Sequence, residues 1–206
     1  MKKYTRSIRR RQKIKISNMA LIILGILGLV LLGDVIGAIM YLRQTPEIQA
    51  NLMRYIATGN SLSFFQIFWR QFLYQVTIWI MGLSIIGNLV TLFLVFARGV
   101  SAGFNLAVLV QSVGVGTTVL WLTQYIMILF TTILSVYFSI RFAYLVVKSL
   151  IKRRYKLIKK HFKLYATQFV VVMVLTIFTS MFSRITAPIV QSRIIEHAVL
   201  MEINTD

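Results

Sequence analysis

The 206-residue chain is predicted to be all-α: a polytopic membrane helical bundle of five transmembrane helices plus a basic amphipathic surface helix. Three observations give this prediction. Hydrophobic residues make up 58% of the chain, more than the about 45–50% of a soluble domain, and the mean hydropathy is +0.78. The hydrophobic residues form uncharged runs that are long enough to cross a bilayer. The net charge of +18 lies in blocks beside those runs.

The first block is a basic arm, residues 1–18, which has eight Lys or Arg residues and no acid. A basic segment beside a hydrophobic span keeps that end of a protein in the cytoplasm, and it can also bind anionic lipid or a partner. The first span follows at residues 19–42. It is too long for a typical signal-peptide core and no clear cleavage motif follows it, so we expect it to be retained.

Asp34 is the one acidic residue within a predicted span. A carboxylate in hydrocarbon is costly and usually faces the bundle interior or water. A proton-binding or ligand-binding role and a structural ion pair are the two interpretations, and we favour the ion pair because transport proteins usually carry several such groups. Arg184 in the last span is the predicted partner, since both residues lie in the outer part of the bilayer, about 22 and 27 Å from the inner ends of their spans.

The second and third spans are predicted at about residues 72–97 and 99–119, joined by a charged corner at Arg98-Gly99. The third is short, so a re-entrant or broken helix is an alternative. Small residues are expected to let these helices approach their neighbours closely. The predicted helix-packing residues are Gly82, Gly87, Gly99, Gly103 and Ala107. The last three are spaced i, i+4, i+8 and share one helix face.

The fourth span, about residues 120–147, leads into the second basic block. Residues 148–165 are predicted to form a cytoplasmic amphipathic helix on the membrane surface, because apolar side chains recur there at helical spacing opposite the lysines. Binding to a partner helix is the alternative. The side chains expected to face anionic headgroups are Lys152, Arg153, Arg154, Lys156, Lys159 and Lys160.

The fifth span, residues 166–187, is expected to end at Pro188, and an outer tail of residues 188–206 follows. Both basic blocks should be cytoplasmic. Four crossings separate them, and an even number is consistent with that placement. The prediction is therefore an amino terminus inside and a carboxyl terminus outside.

The residues needed for common chemistry are scarce. The chain has no cysteine, two histidines and five acidic residues, so we expect no disulfide, no metal site, no cofactor and no catalytic residues. A charge of +18 would suggest nucleic acid in a soluble protein. Here the charge flanks hydrophobic spans, which favours contact with anionic lipid headgroups and not with nucleic acid. An enzyme is not expected.

One part of the sequence resembles the core signature of the stage II sporulation protein M family. The matching residues are Ile78-Trp79, the run 82–87, the run 96–99 and Gly103-Phe104. The likeness extends loosely over nearly the whole chain, and Pro188 is retained. The chain departs from the family pattern at Asn88, at residues 123–125 and at Ser183.

The resemblance implies a multi-pass protein of the bacterial cytoplasmic membrane with one of two roles. The first is a scaffold, which in spore formers belongs to the engulfment machinery and holds cell-wall hydrolases at the membrane. The second is a part in the maturation, export or immunity system of a circular bacteriocin, where an ABC-type transporter is the expected partner. Self-association into a homo-oligomer is a further alternative.

Overall fold

The computed structural model describes the backbone of residues 2–49, 51–52, 63–113, 115–153 and 155–203, and side chains within most of these ranges. This part of the chain is helical and contains no strand, which confirms the all-α prediction. The helices are α1 (Lys2–Leu42), α2 (Phe64–Met81), α3 (Ile85–Val113), α4 (Val115–Ile151) and α5 (Tyr155–Ile203).

The contacts between helices fix their directions. Along α1, Gly33 lies against residues 96–100 and Gly37 against residues 100–104, so α1 and α3 run parallel. Three other pairs are antiparallel. Asp34, towards the end of α1, meets Tyr125 near the start of α4. The start of α3 meets the later part of α4 through Asn88 and Ser139, and the end of α2 meets the start of α5 through Trp79 and Tyr165. The chain therefore traverses the bundle five times. The start of α1, the α2–α3 turn and the α4–α5 turn lie at one end, which we call the basic end, and the opposite end is the far end.

Within the described part of the chain, four helices are long and apolar enough to cross a membrane, whereas the sequence predicts five spans. The candidates are Met19–Leu42, Ile85–Gln111, Gly116–Ile151 and Ile158–Val190. Helix α2 is not among them, because Gln66, Arg70, Gln71 and Gln75 lower the hydropathy of its 18 residues. It nevertheless has about 27 Å of length, close to the thickness of a bilayer core.

The predicted boundary between the second and third spans is wrong. The uncharged run breaks at residues 82–84, where a turn joins α2 to α3, and Arg98-Gly99 lies in the middle of α3. Ser84 explains the break, because its hydroxyl accepts a 2.8 Å hydrogen bond from the backbone N–H of Gly87 and caps the start of α3. An uncharged run alone does not reveal such a cap. The third span is consequently a helix of 29 residues, and not a short or re-entrant one.

The predicted separate surface helix over residues 148–165 is also absent. Helix α4 continues to Ile151, a turn follows at Lys152-Arg153, and α5 runs without a break from Tyr155 into the last span. Arg153 adopts a left-handed conformation, φ 51°, which reverses the chain within this short connection. The basic residues are therefore carried on a helical hairpin that packs α4 against α5.

Pro188 does not end the last helix, contrary to the prediction. Helix α5 passes through it and continues to Ile203. A proline inside a helix removes one backbone hydrogen bond and crowds the carbonyl four residues earlier, but membrane helices tolerate this. The predicted outer tail is thus helical as far as residue 203, and residues 204–206 lie outside the described part.

Apolar side chains cover the outer surface of the bundle, and polar side chains share its interior with apolar ones. Large apolar side chains are exposed along every helix, for example Leu21 (72%), Ile86 (76%) and Phe93 (66%). The interior contains a small apolar cluster around Ile78 and Val136. It also contains a large number of buried Ser and Thr side chains. This arrangement suits a protein whose surroundings are lipid.

Candidate functional site

The closest contact between two helices is the crossing of α1 and α3, where glycines from both helices face each other. A Cβ atom on Gly33 would lie 2.6 Å from the carbonyl oxygen of Phe96, and one on Gly99 would lie 2.5 Å from that of Val30. Real Cβ contacts are essentially never this short. Only glycine fits, because each obstructing atom belongs to the backbone of the other helix.

Gly103 lies at the level of Asp34 in this crossing. A Cβ atom on Gly103 would overlap the backbone carbonyl of Asp34, and one on Gly37 would overlap the carbonyl of Val100. The glycine contact therefore sets the height of Asp34 relative to α3. It also turns the Asp34 side chain, which is partly buried, towards α4.

The carboxylate of Asp34 meets Tyr125 of α4. The Tyr125 hydroxyl donates a 2.9 Å hydrogen bond to Asp34 Oδ1. A hydrogen bond to a carboxylate is stronger than one between neutral groups, and it lowers the cost of the charge in the membrane. The partner that the structure gives to Asp34 is thus a tyrosine. The ion pair between Asp34 and Arg184 stays a prediction.

Arg98 reaches the same region from α3. Its guanidinium carbon lies 4.4 Å above the ring centre of Tyr74, a cation–π contact between α3 and α2. Arg98 also interacts electrostatically with the hydroxyls of Tyr74 and Tyr125. Asp34, Tyr74, Arg98 and Tyr125, from four different helices, therefore form one cluster, which we call the Asp34 cluster.

A second polar region joins α2 and α4 to α5. On α2, Gln71 Oε1 accepts hydrogen bonds from Thr179 (2.9 Å) and Ser180 (3.3 Å). On α4, the Gln124 side chain donates to Ser183 Oγ (2.9 Å) and accepts from the Thr186 hydroxyl (2.8 Å). These contacts define the hydroxyl seam, which consists of Gln71, Gln124, Thr179, Ser180, Ser183 and Thr186. Thr176 is included because its carbonyl accepts hydrogen bonds from Thr179 and Ser180.

The basic end of the bundle is closed by aromatic side chains. The Tyr165 hydroxyl donates a 2.9 Å hydrogen bond to the carbonyl oxygen of Trp79, in the last turn of α2. The two rings stack at 5.4 Å, and Phe142 of α4 stacks on Tyr165 at 4.3 Å. Nearby, the Ser139 hydroxyl donates to Asn88 Oδ1 at 2.9 Å, which joins α4 to α3. Tyr165 therefore marks the level at which α2 ends.

Three departures from the family pattern lie in contacts between helices. Asn88 accepts a hydrogen bond from Ser139, Ser183 accepts one from Gln124, and Tyr125 donates one to Asp34. A changed residue at one of these positions therefore changes a polar contact inside the bundle and not only its surface.

The remaining predicted packing residues have other roles. Gly82 lies in the α2–α3 turn, where a Cβ would collide with Ser139, and Gly87 lies under the carbonyl of Met81 across the same turn. Ala107 is partly buried on α3. Of the predicted lipid-facing residues, Lys152, Arg153, Lys159 and Lys160 are exposed on the hairpin. The side chains of Arg154 and Lys156 lie outside the described part.

Sequence reasoning missed most of the polar interior. The hydroxyl seam had a usable signal: Thr176, Thr179, Ser183 and Thr186 recur at +3, +4 and +3, which is the spacing of one helix face. The sequence signal for the Asp34 cluster was weaker. Arg98 follows the 22 uncharged residues 76–97 and therefore resembles the charged end of a span. Its position in the middle of α3 follows only from the turn at residues 82–84.

The chemistry available in this interior is limited. Among the described residues, no group of three or more His, Cys, Asp or Glu side chains could hold a metal ion. The Asp34 cluster offers one carboxylate, one guanidinium and two phenols. The described seam offers amides and hydroxyls that bond to one another. These groups can orient helices, exchange protons or bind a polar ligand.

The fold and these contacts define a class: a multi-pass helical membrane protein with a polar, hydrogen-bonded interior. The sequence profile of a family described as Stage II sporulation protein M matches residues 19–186. The chain belongs to the stage II sporulation protein M family. No curated protein and no solved structure showed significant similarity to it.

Proposed function

We propose that this protein is a non-enzymatic scaffold that holds partner proteins at the bacterial cytoplasmic membrane. The observation that carries the proposal is the network of contacts between helices. Glycines fix α1 on α3, and hydrogen bonds link α1 to α4, α2 to α5 and α4 to α5. Such a bundle is a rigid platform.

The proposed orientation places the basic end in the cytoplasm. Both basic segments, the first 18 residues and the α4–α5 hairpin, lie at that end of the bundle. Positively charged segments remain on the cytoplasmic side during insertion. The far end, with the start of α2 and the end of α5, then faces outward. It is there that a cell-wall hydrolase could be held near its substrate.

The scaffold proposal is tested by following a hydrolase in cells. The gene is deleted, and the amount and position of membrane-associated cell-wall hydrolases are measured by fractionation and fluorescence. A photo-crosslinking residue at Phe65 or Trp69, exposed near the far end on α2, should capture a hydrolase in intact cells. The scaffold role would be contradicted if deletion changed neither the position nor the abundance of the hydrolases and if no hydrolase were crosslinked.

The second candidate is a component of a bacteriocin maturation, export or immunity system. The Asp34 cluster favours it, because charged groups inside a membrane often mark the path or binding site of a transported substrate. The polar departures from the family pattern support a role outside sporulation. Gene neighbourhood separates the two: sporulation genes favour the scaffold, and a small hydrophobic peptide gene beside a transporter ATPase favours this candidate. Loss of resistance to such a peptide on deletion would support it directly.

A further inference from the structure

The α4–α5 hairpin contains a groove that neither the family membership nor the proposed function explains. The cavity has a volume of ≈ 460 Å³. It lies between the two helices at the basic end. Its lining consists of Arg141 and Leu145 from α4 and of Lys160, His161, Lys163, Leu164 and Thr167 from α5. The volume is within the range of small-ligand sites.

The groove is strongly cationic and has no internal counter-ion in its own part of the chain. Arg141, Lys160 and Lys163 contribute three basic side chains. No acidic residue occurs between residues 48 and 195, so neither α4 nor the lining part of α5 contains a carboxylate. Three cations on one groove repel each other unless an anion lies between them. The chemistry of the lining therefore selects an anionic ligand.

The groove lies at the depth of the lipid headgroups when the end of α2, the helix proposed to cross the membrane, marks the edge of the bilayer core. Tyr165 is hydrogen-bonded to the last turn of α2, so its level marks the end of that helix. Phe142, next to Arg141, stacks on Tyr165 and is at the same level. Lys160 is five residues, about 7 Å, beyond that level towards the turn of the hairpin. The headgroup layer on each side of a bilayer core is about 5–8 Å thick, so the groove falls within it.

The apolar part of the lining indicates a lipid and not a free anion. Leu145 and Leu164 face the groove beside the cations. Farther along α5, Val170, Val171 and Val174 are exposed and point towards the surrounding lipid. An acyl chain can follow this strip while its phosphate remains among the cations. A free phosphate ion would make no use of the two leucines.

We propose that this groove is a binding site for the phosphodiester headgroup of an anionic phospholipid, with Arg141 and Lys163 as its main ligands from the two helices. Bound lipid joins α4 to α5 at the membrane surface and stabilises the hairpin. This differs from a general attraction of basic residues to the membrane, because it depends on the residues of the groove and not on the total charge.

The test uses the full-length protein in phosphatidylcholine nanodiscs with an increasing fraction of phosphatidylglycerol. Thermal stability should rise with phosphatidylglycerol and saturate. Each lost cation should weaken apparent binding about fivefold, and Arg141→Gln with Lys163→Gln should weaken it about 30-fold, since one basic residue near the surface contributes about 1 kcal/mol. The matched control is Lys159→Gln, which removes one charge from an exposed position outside the groove.

Three outcomes would overturn the proposal. The first is a stability that does not respond to phosphatidylglycerol. The second is an equal loss in Lys159→Gln and Arg141→Gln, which means that only total charge matters. The third is an equal effect of inorganic phosphate in pure phosphatidylcholine, which means that a free anion occupies the groove.

A second measurement needs no variant and keeps the proposal testable if the double variant does not fold. A photoreactive phosphatidylglycerol is crosslinked to the wild-type protein, and the labelled peptides are identified by mass spectrometry. The proposal predicts labels in peptides that contain residues 141–145 and 160–167. Labels spread evenly over all lipid-exposed helices would contradict it.

Discussion

Gly103→Ala is the smallest substitution that tests the crossing of α1 and α3. The added methyl group would overlap the backbone carbonyl of Asp34, and a backbone atom cannot turn aside as a flexible side chain does. Helix α1 would therefore have to move away from α3. Because Asp34 moves with it, the hydrogen bond from Tyr125 would also lengthen or break.

The expected magnitude follows from two opposing effects. Replacing glycine by alanine inside a helix is favourable by about 1 kcal/mol where space is free. Extra atoms in a well-packed interior cost about 1–3 kcal/mol. At Gly103 the obstruction is backbone, so the cost is at the upper end, about 3 kcal/mol, and the net loss is about 2 kcal/mol. A loss of this size lowers the melting temperature of a protein of this length by about 4–8 °C.

Gly28→Ala is the matched control. It is the same substitution in α1, but nothing lies within 4 Å of the position that the new Cβ would take. This variant should be as stable as the wild type or more stable. The assay is thermal unfolding of both purified variants in detergent, monitored by fluorescence-detected size-exclusion chromatography. Equal melting temperatures for Gly103→Ala and Gly28→Ala would refute the packing argument.

Other substitutions test the polar interior. Tyr125→Phe removes the hydrogen bond to Asp34 and should cost about 1–3 kcal/mol, while Tyr144→Phe, on an exposed tyrosine, should cost nothing measurable. Double-mutant cycles measured by thermal unfolding test the partner of Asp34. Asp34→Asn should couple to Tyr125→Phe by more than about 0.5 kcal/mol. Coupling of Asp34→Asn to Arg184→Gln instead would mean that the predicted ion pair is correct and the tyrosine contact is secondary. Gln124→Leu should cost only about 0.6–1.7 kcal/mol, since its hydroxyl partners also bond within α5; a larger loss would mean that the seam holds the bundle together.

The sequence predicted the class and the elements near strong signals. Long hydrophobic runs located the first, fourth and fifth spans to within a few residues at one end or both. The spacing of Gly99 and Gly103 pointed to a face suited to close packing, and these residues do lie against α1. Such features are local, because hydrophobicity and the absence of a side chain act in the same way wherever a helix packs.

The failures of sequence reasoning came from positions decided by tertiary contact. Arg98 resembles the charged end of a span, but its guanidinium lies over the Tyr74 ring and the helix continues past it. The basic run before Tyr165 resembles a surface helix, but Phe142 stacks on Tyr165 and holds this segment upright against α4. A charge or an amphipathic stripe gives the preference of a segment for water or lipid, but not the identity of its neighbour.

Helix α2 is proposed to cross the membrane, which makes five crossings and places both basic segments on the cytoplasmic side. The natural chain has no cysteine, so single cysteines can be labelled without a background. Ser63→Cys, before α2, and Leu83→Cys, in the α2–α3 turn, are treated with a membrane-impermeant maleimide in intact cells and in inverted vesicles. We predict that Ser63→Cys is labelled only from outside, and that Leu83→Cys, like Arg153→Cys in the hairpin turn, is labelled only from inside. Labelling of both Ser63→Cys and Leu83→Cys from the same side would contradict the account.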